Sequence, residues 1–297
     1  MGNGKTIGDH QTDGGFQWRV EDTDSAVGEV RINDTTYGVI KWNGSEWLPD
    51  KKRGGLNAVF GFSNTDIWIA GGEVSHFDGI KWNPVSGYLN DTTGQYIVLD
   101  RVLNDNTPYT SIWGTSSNNL YLSGGRGKII HWDGNKASIV FSTDLAILEI
   151  WGTDEQNIYA VAGDYSQHAG KLFHYEGGPW NLIRTGGGIF GSADTQGPFT
   201  SILGTKNDEL FLHARYIESR YGGLWKKEVL CASWMYEITG TNSNNVASCG
   251  DYGIKHFNGI DWASFDGLTQ RALYGIHVFD NKIFAVSDRI ILIGTNY

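Results

Sequence analysis

SIWGTSSNNLYLSGGRGKIIHWDG, residues 111–134, reads as three short strands with turn signals between them. Segments 111–115, 120–123 and 128–132 are rich in β-branched and aromatic residues, and polar or glycine-rich segments 116–119 and 124–127 separate them. Asp133-Gly134 predicts a two-residue type I′ hairpin, whose central positions both need positive φ. Such a sheet cannot bury both of its faces alone, so the rest of the chain is expected to supply copies.

The copies are present. Residues 58–79 read AVFGFSNTDIWIAGGEVSHFDG, residues 149–164 EIWGTDEQNIYAVAGD followed by KLFHYEG at 171–177, and residues 237–259 EITGTNSNNVASCGDYGIKHFNG. Weaker versions begin at Ser201 and Gly275. The glycine closing the first strand falls at Gly61, Gly114, Gly152, Gly204 and Gly240, with Val278 in the last copy, at intervals of 53, 38, 52, 36 and 38 residues. A base period in the upper thirties, lengthened twice, predicts one four-stranded propeller blade per repeat. An aromatic pair flanks most of the last turns, as in Phe77 and Trp82, Tyr175 and Trp180, and Phe257 and Trp262. Cross-strand packing accounts for these rings better than a sugar platform does.

The predicted fold is therefore all-β: a single seven-bladed propeller of four-stranded antiparallel blades, with six blades as the alternative. Segment 26–47 serves as a partial seventh copy without a recognisable first strand. The last copy ends without a fourth strand, and 16–20 (FQWRV) looks like the missing one, so it is expected to pair with 290–293 and close the ring. Residues 1–15 read as a flexible tail and 16–297 as the propeller domain.

Composition narrows the function classes. Lys plus Arg number 23 against 33 Asp plus Glu, a net charge of −10 that argues against a nucleic-acid partner. No apolar run reaches the length of a transmembrane helix, and no signal peptide opens the chain. The two cysteines, Cys231 and Cys249, read as buried thiols. No residue spacing calls for a metal or other cofactor, and no catalytic residue can be nominated.

Loop lengths carry the best functional signal. The long connections join strand two to strand three, or one blade to the next, so in an up-and-down blade they share one face. Residues entering that face are Glu29, Glu73, Arg126, Asp164, Arg215, Asp251 and Arg289, with Tyr165, His168, His213, Tyr216 and Tyr252 nearby. Glu149 and Glu237 stand on first strands where other copies carry Ala, Ser or Gly. Together these fourteen form the candidate ligand-binding set, weighed against a solvated ring of structural ion pairs.

The unit IWGTSSNNLYLSGGRGKIIHWDG resembles the repeats of secreted bacterial seven-bladed propellers, from residue 16 onward. The resemblance implies an extracellular or cell-envelope binding or scaffolding protein, and it transfers no catalytic residues. The reading is thus a monomeric, non-enzymatic module recognising a glycan, peptide or protein on its long-loop face. The alternative is a carbohydrate-active propeller with Glu149 and Glu237 as axial acids, which would need carboxylates about 5–10 Å apart.

Overall fold

The computed structural model describes residues 5–6, 16–22, 30–32, 35–42, 47–50, 56–85, 108–124, 126–187, 197–206, 209–231, 234–251, 253–279, 281–287 and 290–296. Their secondary structure is β throughout, and no helix among them is long and apolar enough to cross a membrane. Two compact units divide the chain. Residues 55–200 form one, and residues 1–54 with 201–297 form the other.

The first unit holds three antiparallel four-stranded sheets in simple up-and-down order, spanning 56–84, 109–142 and 146–186 (blades I to III). The second holds sheets spanning 201–230 and 235–266 (blades IV and V) and a sixth built from Gly275–Val278, Lys282–Val286 and Ile290–Asn296. The sixth sheet gains its fourth strand, Phe16–Asp22, from the N-terminus, in register from Phe16 opposite Asn296 to Asp22 opposite Ile290. That is the strand exchange read from FQWRV. Lys5–Thr6 adds a two-residue rung beyond it, opposite Val20 and Arg19. The fold is an all-β propeller of four-stranded antiparallel blades.

Among the described residues six blades are complete and the expected seventh is not; the second strand expected at 26–29 lies outside them. In 26–47, Val30–Ile32 pairs with Thr35–Tyr37, and Val39–Trp42 with Trp47–Asp50, as two separate two-stranded ladders. The second ladder takes the place of the third and fourth strands of a blade, with Trp42 and Trp47 flanking its turn as the aromatic pairs do elsewhere. The segment 21–25, EDTDS, offers no apolar run for a first strand, and isolated hairpins are marginal without a further strand to pair with.

Each large apolar cluster is shared by two consecutive blades. Trp68, Ala70 and Val74 of blade I pack with Ile112, Leu120, Leu122 and Ile130 of blade II. Leu203, Phe211 and Ile217 of blade IV meet Met235, Ile238 and Val246 of blade V. The flanking aromatics behave as packing groups. Trp180 sits 5.4 Å from Tyr175 across its own hairpin and 5.2 Å from Phe141 of the preceding blade. Trp262 likewise packs on Phe257 at 5.3 Å and reaches Phe211 of blade IV.

The turns depart from expectation. Phe77 pairs with Trp82 and Trp132 with Ala137, so the Asp-Gly loops hold four residues rather than two. Asp78 Oδ1 accepts the amides of Ile80 and Lys81, and Asp133 Oδ1 those of Asn135 and Lys136. These backbone bonds hold the Asp78 carboxyl down at about 2. Only the glycine takes positive φ, at 90° for Gly79. Between strands three and four of blade IV the turn does hold two residues, Tyr221 facing Leu224 across Gly222 and Gly223, at φ 56° and 81°.

Candidate functional site

The two ends of a blade are built differently. At the end carrying the turn between strands one and two, the same polar latch recurs. Thr115 Oγ1 accepts from Asn119 Nδ2 at 2.8 Å, and Asn119 Oδ1 accepts from His131 Nε2 at 2.7 Å. Thr153, Asn157 and His174 repeat it at 2.8 and 2.7 Å, and Thr241, Asn245 and His256 at 3.0 and 2.9 Å. Blade I substitutes Asp66, which takes His76 Nε2 at 2.8 Å and the Ser117 hydroxyl of blade II. Burial raises the Asp66 carboxyl, but the bonds from Ser117 and His76 outweigh it and leave it lowered. Asn119 also reaches Glu155 of blade III, so the latch crosses the seam.

A latch this close to the backbone explains the neighbouring glycine. A Cβ on Gly152 would lie 2.7 Å from the Asn157 carbonyl oxygen and 2.7 Å from the Trp113 ring. This end of the blade is therefore committed to holding strands and blades together.

First strands are stitched by a second set of bonds. One residue bulges out of register before Ala58, Ser111, Glu149 and Glu237. The bulged Asn57 donates to the Tyr109 carbonyl at 2.8 Å, and the bulged Thr110 to that of Ile147 at 2.6 Å. The following residue accepts an amide from the next blade: Ser111 from Ile150, Ser201 from Ile238, and Glu237 from Ile276 at 2.8 Å. Glu237 thus uses its carboxylate as a seam acceptor. Burial pushes it up to about 7 despite the bond from Ile276, which lowers it.

The other predicted residues fall into three groups. Glu29, Tyr252 and Arg289 lie outside the described residues. His213 is not at a surface: it is fully buried, holds Ser248 Oγ at 3.1 Å, and burial drives it down to about 3. Its place at the end of strand two suggested exposure, but the ladder continues past it into Tyr216–Tyr221. Segment 213–223, by its place in the repeat one of the long connections from strand two to strand three, is mostly strand.

The remainder stay at the surface. Glu73 and Arg126 are exposed in tight turns, and Glu149 and Arg215 are half-buried. Tyr216 lies under Lys227 Nζ at 4.6 Å. Asp164 organises its own turn, accepting the amides of Ser166 and Gln167, while His168 closes it at φ 51° beside exposed Tyr165.

Asp251 is where a site takes shape. Its amide donates to the Trp234 carbonyl at 3.0 Å, and its Oδ1 accepts the Tyr236 hydroxyl at 2.9 Å. The Tyr236 ring meets that of Tyr274 at 5.1 Å, tilted by 53°. Tyr274, 55% exposed, thus shows a ring to solvent next to the Tyr236–Asp251 pair, and Trp234, whose carbonyl holds the Asp251 amide, is 37% exposed. The next residue after Tyr236, Glu237, ties this strand to Ile276. Neither tyrosine nor Trp234 was singled out from sequence. The signal was there: Tyr236 and Tyr274 occupy the same repeat position, where the other copies carry Asn57, Thr110, Leu148 and Thr200.

Fold and site together define a β-propeller with an aromatic–carboxylate surface on one seam. No family model and no curated protein matches the chain. Among solved structures it is similar to YCF48 bound to D1 peptide, at 13% identity and a TM-score of 0.64 over 94% of this chain and 95% of that one. It is also similar to the computationally designed Ika8 protein, at 14% identity and a TM-score of 0.55 over 96% of this chain and 82% of that one. At such identities the likeness is one of fold.

Proposed function

We propose that this propeller is a non-enzymatic binding or scaffolding module that recognises an extended peptide segment of a partner protein at the Trp234, Tyr236, Asp251 and Tyr274 surface. The observation that carries the reading is the exposure of Trp234 and Tyr274 beside a carboxylate whose direction is set by the Tyr236 hydroxyl. Exposed aromatic rings give contact area at low entropic cost, and a seam stitched by Glu237 holds them in place before the ligand arrives. YCF48, similar in fold, has been captured with a peptide, which favours a peptide over a glycan as the first ligand class to test. The carbohydrate-active alternative is weakened because Glu237, one of its two acids, is spent on a backbone amide. An extracellular or envelope location, and kinship with the secreted bacterial propellers that the repeats resemble, complete the proposal.

The test is a combined peptide and glycan array probed with the wild-type protein, Tyr274→Leu and Asp251→Asn. Peptide hits that fall at least fivefold with Tyr274→Leu are expected. Peptide or glycan hits indifferent to both substitutions would place binding elsewhere and overturn the reading.

A further inference from the structure

We infer that the Trp234–Asp251–Tyr274 surface selects an arginine side chain in its peptide ligand, an inference that rests on the peptide-binding reading above. A carboxylate at this surface disfavours anionic groups. It accepts the Tyr236 hydroxyl at 2.9 Å and retains acceptor capacity, because the two oxygens of a carboxylate offer about four lone-pair sites. A guanidinium matches what remains: it can donate in parallel to the carboxylate and lay its plane on an aromatic face. Tyr274, exposed and packed on the Tyr236 ring that bonds Asp251, supplies an aromatic ring for the second contact.

Geometry separates this ligand from a sugar. Sugar rings stack best on one flat platform, whereas Tyr236 and Tyr274 are tilted by 53° to each other. Charge points the same way. At a net −10, the whole protein attracts a cationic segment and repels an acidic one. Asp251 is also rigidly aimed, since its amide is held by the Trp234 carbonyl and the adjoining Gly250 carbonyl takes the Leu273 amide at 3.0 Å.

The experiment uses the full chain labelled with ¹⁵N, reading the indole resonance of Trp234, assigned with Trp234→Phe. The probes are acetyl-Gly-Gly-Arg-Gly-Gly-amide, its citrulline counterpart, and chitotetraose. The arginine peptide should shift the Trp234 resonance saturably, and the citrulline peptide should bind at least fivefold more weakly. Asp251→Asn should weaken arginine binding at least fivefold, whereas Glu176→Gln, which removes an exposed acid elsewhere, should change it less than twofold. Tyr274→Phe should retain binding and Tyr274→Leu should lose it. Equal binding of arginine and citrulline peptides, or equal effects of Asp251→Asn and Glu176→Gln, would overturn the inference. A shift of the same resonance by chitotetraose alone would overturn it in favour of a glycan. If the arginine probe fails while array peptides still depend on Tyr274, the binding reading stands and only the arginine assignment falls.

Discussion

The latched end of a blade and its opposite end obey different rules. At the latched end, Thr, Asn and His return at equivalent places in blades II, III and V, with nearly the same distances. At the other end blades I, III and V differ: Glu73 sits in a tight turn, Asp164 caps a four-residue loop, and Asp251 anchors an aromatic pair. Repetition marks where each blade must solve the same stability problem. Departure from it marks where one blade is free to do something the others do not.

The harshest break of this comparison damages both ends at once. Removing residues 1–22 takes away Phe16–Asp22 and leaves Ile290–Asn296 as a bare edge, so folding should be lost or severely weakened. Removing residues 1–14 takes, among the described residues, only the Lys5–Thr6 rung and should cost little. Equal melting temperatures for the two truncations would refute the strand exchange.

Next in size is the latched end alone. Gly152→Ala drives a methyl group into the Asn157 carbonyl and the Trp113 ring, and should cost about 2–3 kcal/mol in urea unfolding. An alanine tolerated there would mean that the latch is looser than its distances imply.

A smaller effect sharpens the account of the seam beneath the aromatic pair. Glu237 is raised by burial to about 7 from an ordinary 4.5, so the folded state binds this proton more tightly than the unfolded chain. Its stabilising contribution is full below about pH 4.5 and is lost as pH rises to about 7. Buried His256, lowered to about 4 by burial, works in the opposite direction over an overlapping range, so the difference between variants is the informative quantity. Glu237→Gln keeps an acceptor for Ile276 and should flatten the loss of melting temperature between pH 4.5 and 7, leaving the variant more stable at pH 8. Parallel pH profiles for the two proteins would show that the buried acid does not titrate in this window.

Much of this was legible in the chain because repetition amplifies weak signals. The Gly-Thr-x-x-x-Asn spacing, the following His and the Trp-bearing fourth strand each recur, and the strand order follows from them. FQWRV could be matched to Ile290–Asn296 because one end lacked a strand and the other had a spare. Blade number was harder. Residues 26–47 carry second-half signals, but hairpins need a first strand to join a sheet, and 21–25 cannot supply one.

The site was the least legible part. His213 and Asp251 both follow or end a second strand, and nothing in residue type tells a core imidazole from a surface carboxylate. Asp-Gly is equally ambiguous: the aspartate can adopt positive φ itself or cap two amides, and here it caps. Tyr236 was hidden because a bulge turns it out of the strand's alternation, and Tyr274 because it precedes Gly275–Val278, so their pairing across the seam is a fact of three dimensions.

In blades I, II, III and V one end holds the fold, and the blade V seam is the surface proposed to bind. The direct measurement is a double dissociation on one protein, recording melting temperature and array-peptide affinity together for Asn157→Ala and Tyr274→Leu. Asn157→Ala gives up bonds to Thr153 and His174 and should lose about 1–2 kcal/mol of stability while keeping its affinity. Tyr274→Leu should melt within a degree or two of wild type, as expected for about 0.5 kcal/mol or less at an exposed position, and lose at least fivefold in affinity. Affinity lost with Asn157→Ala and kept with Tyr274→Leu would contradict the account.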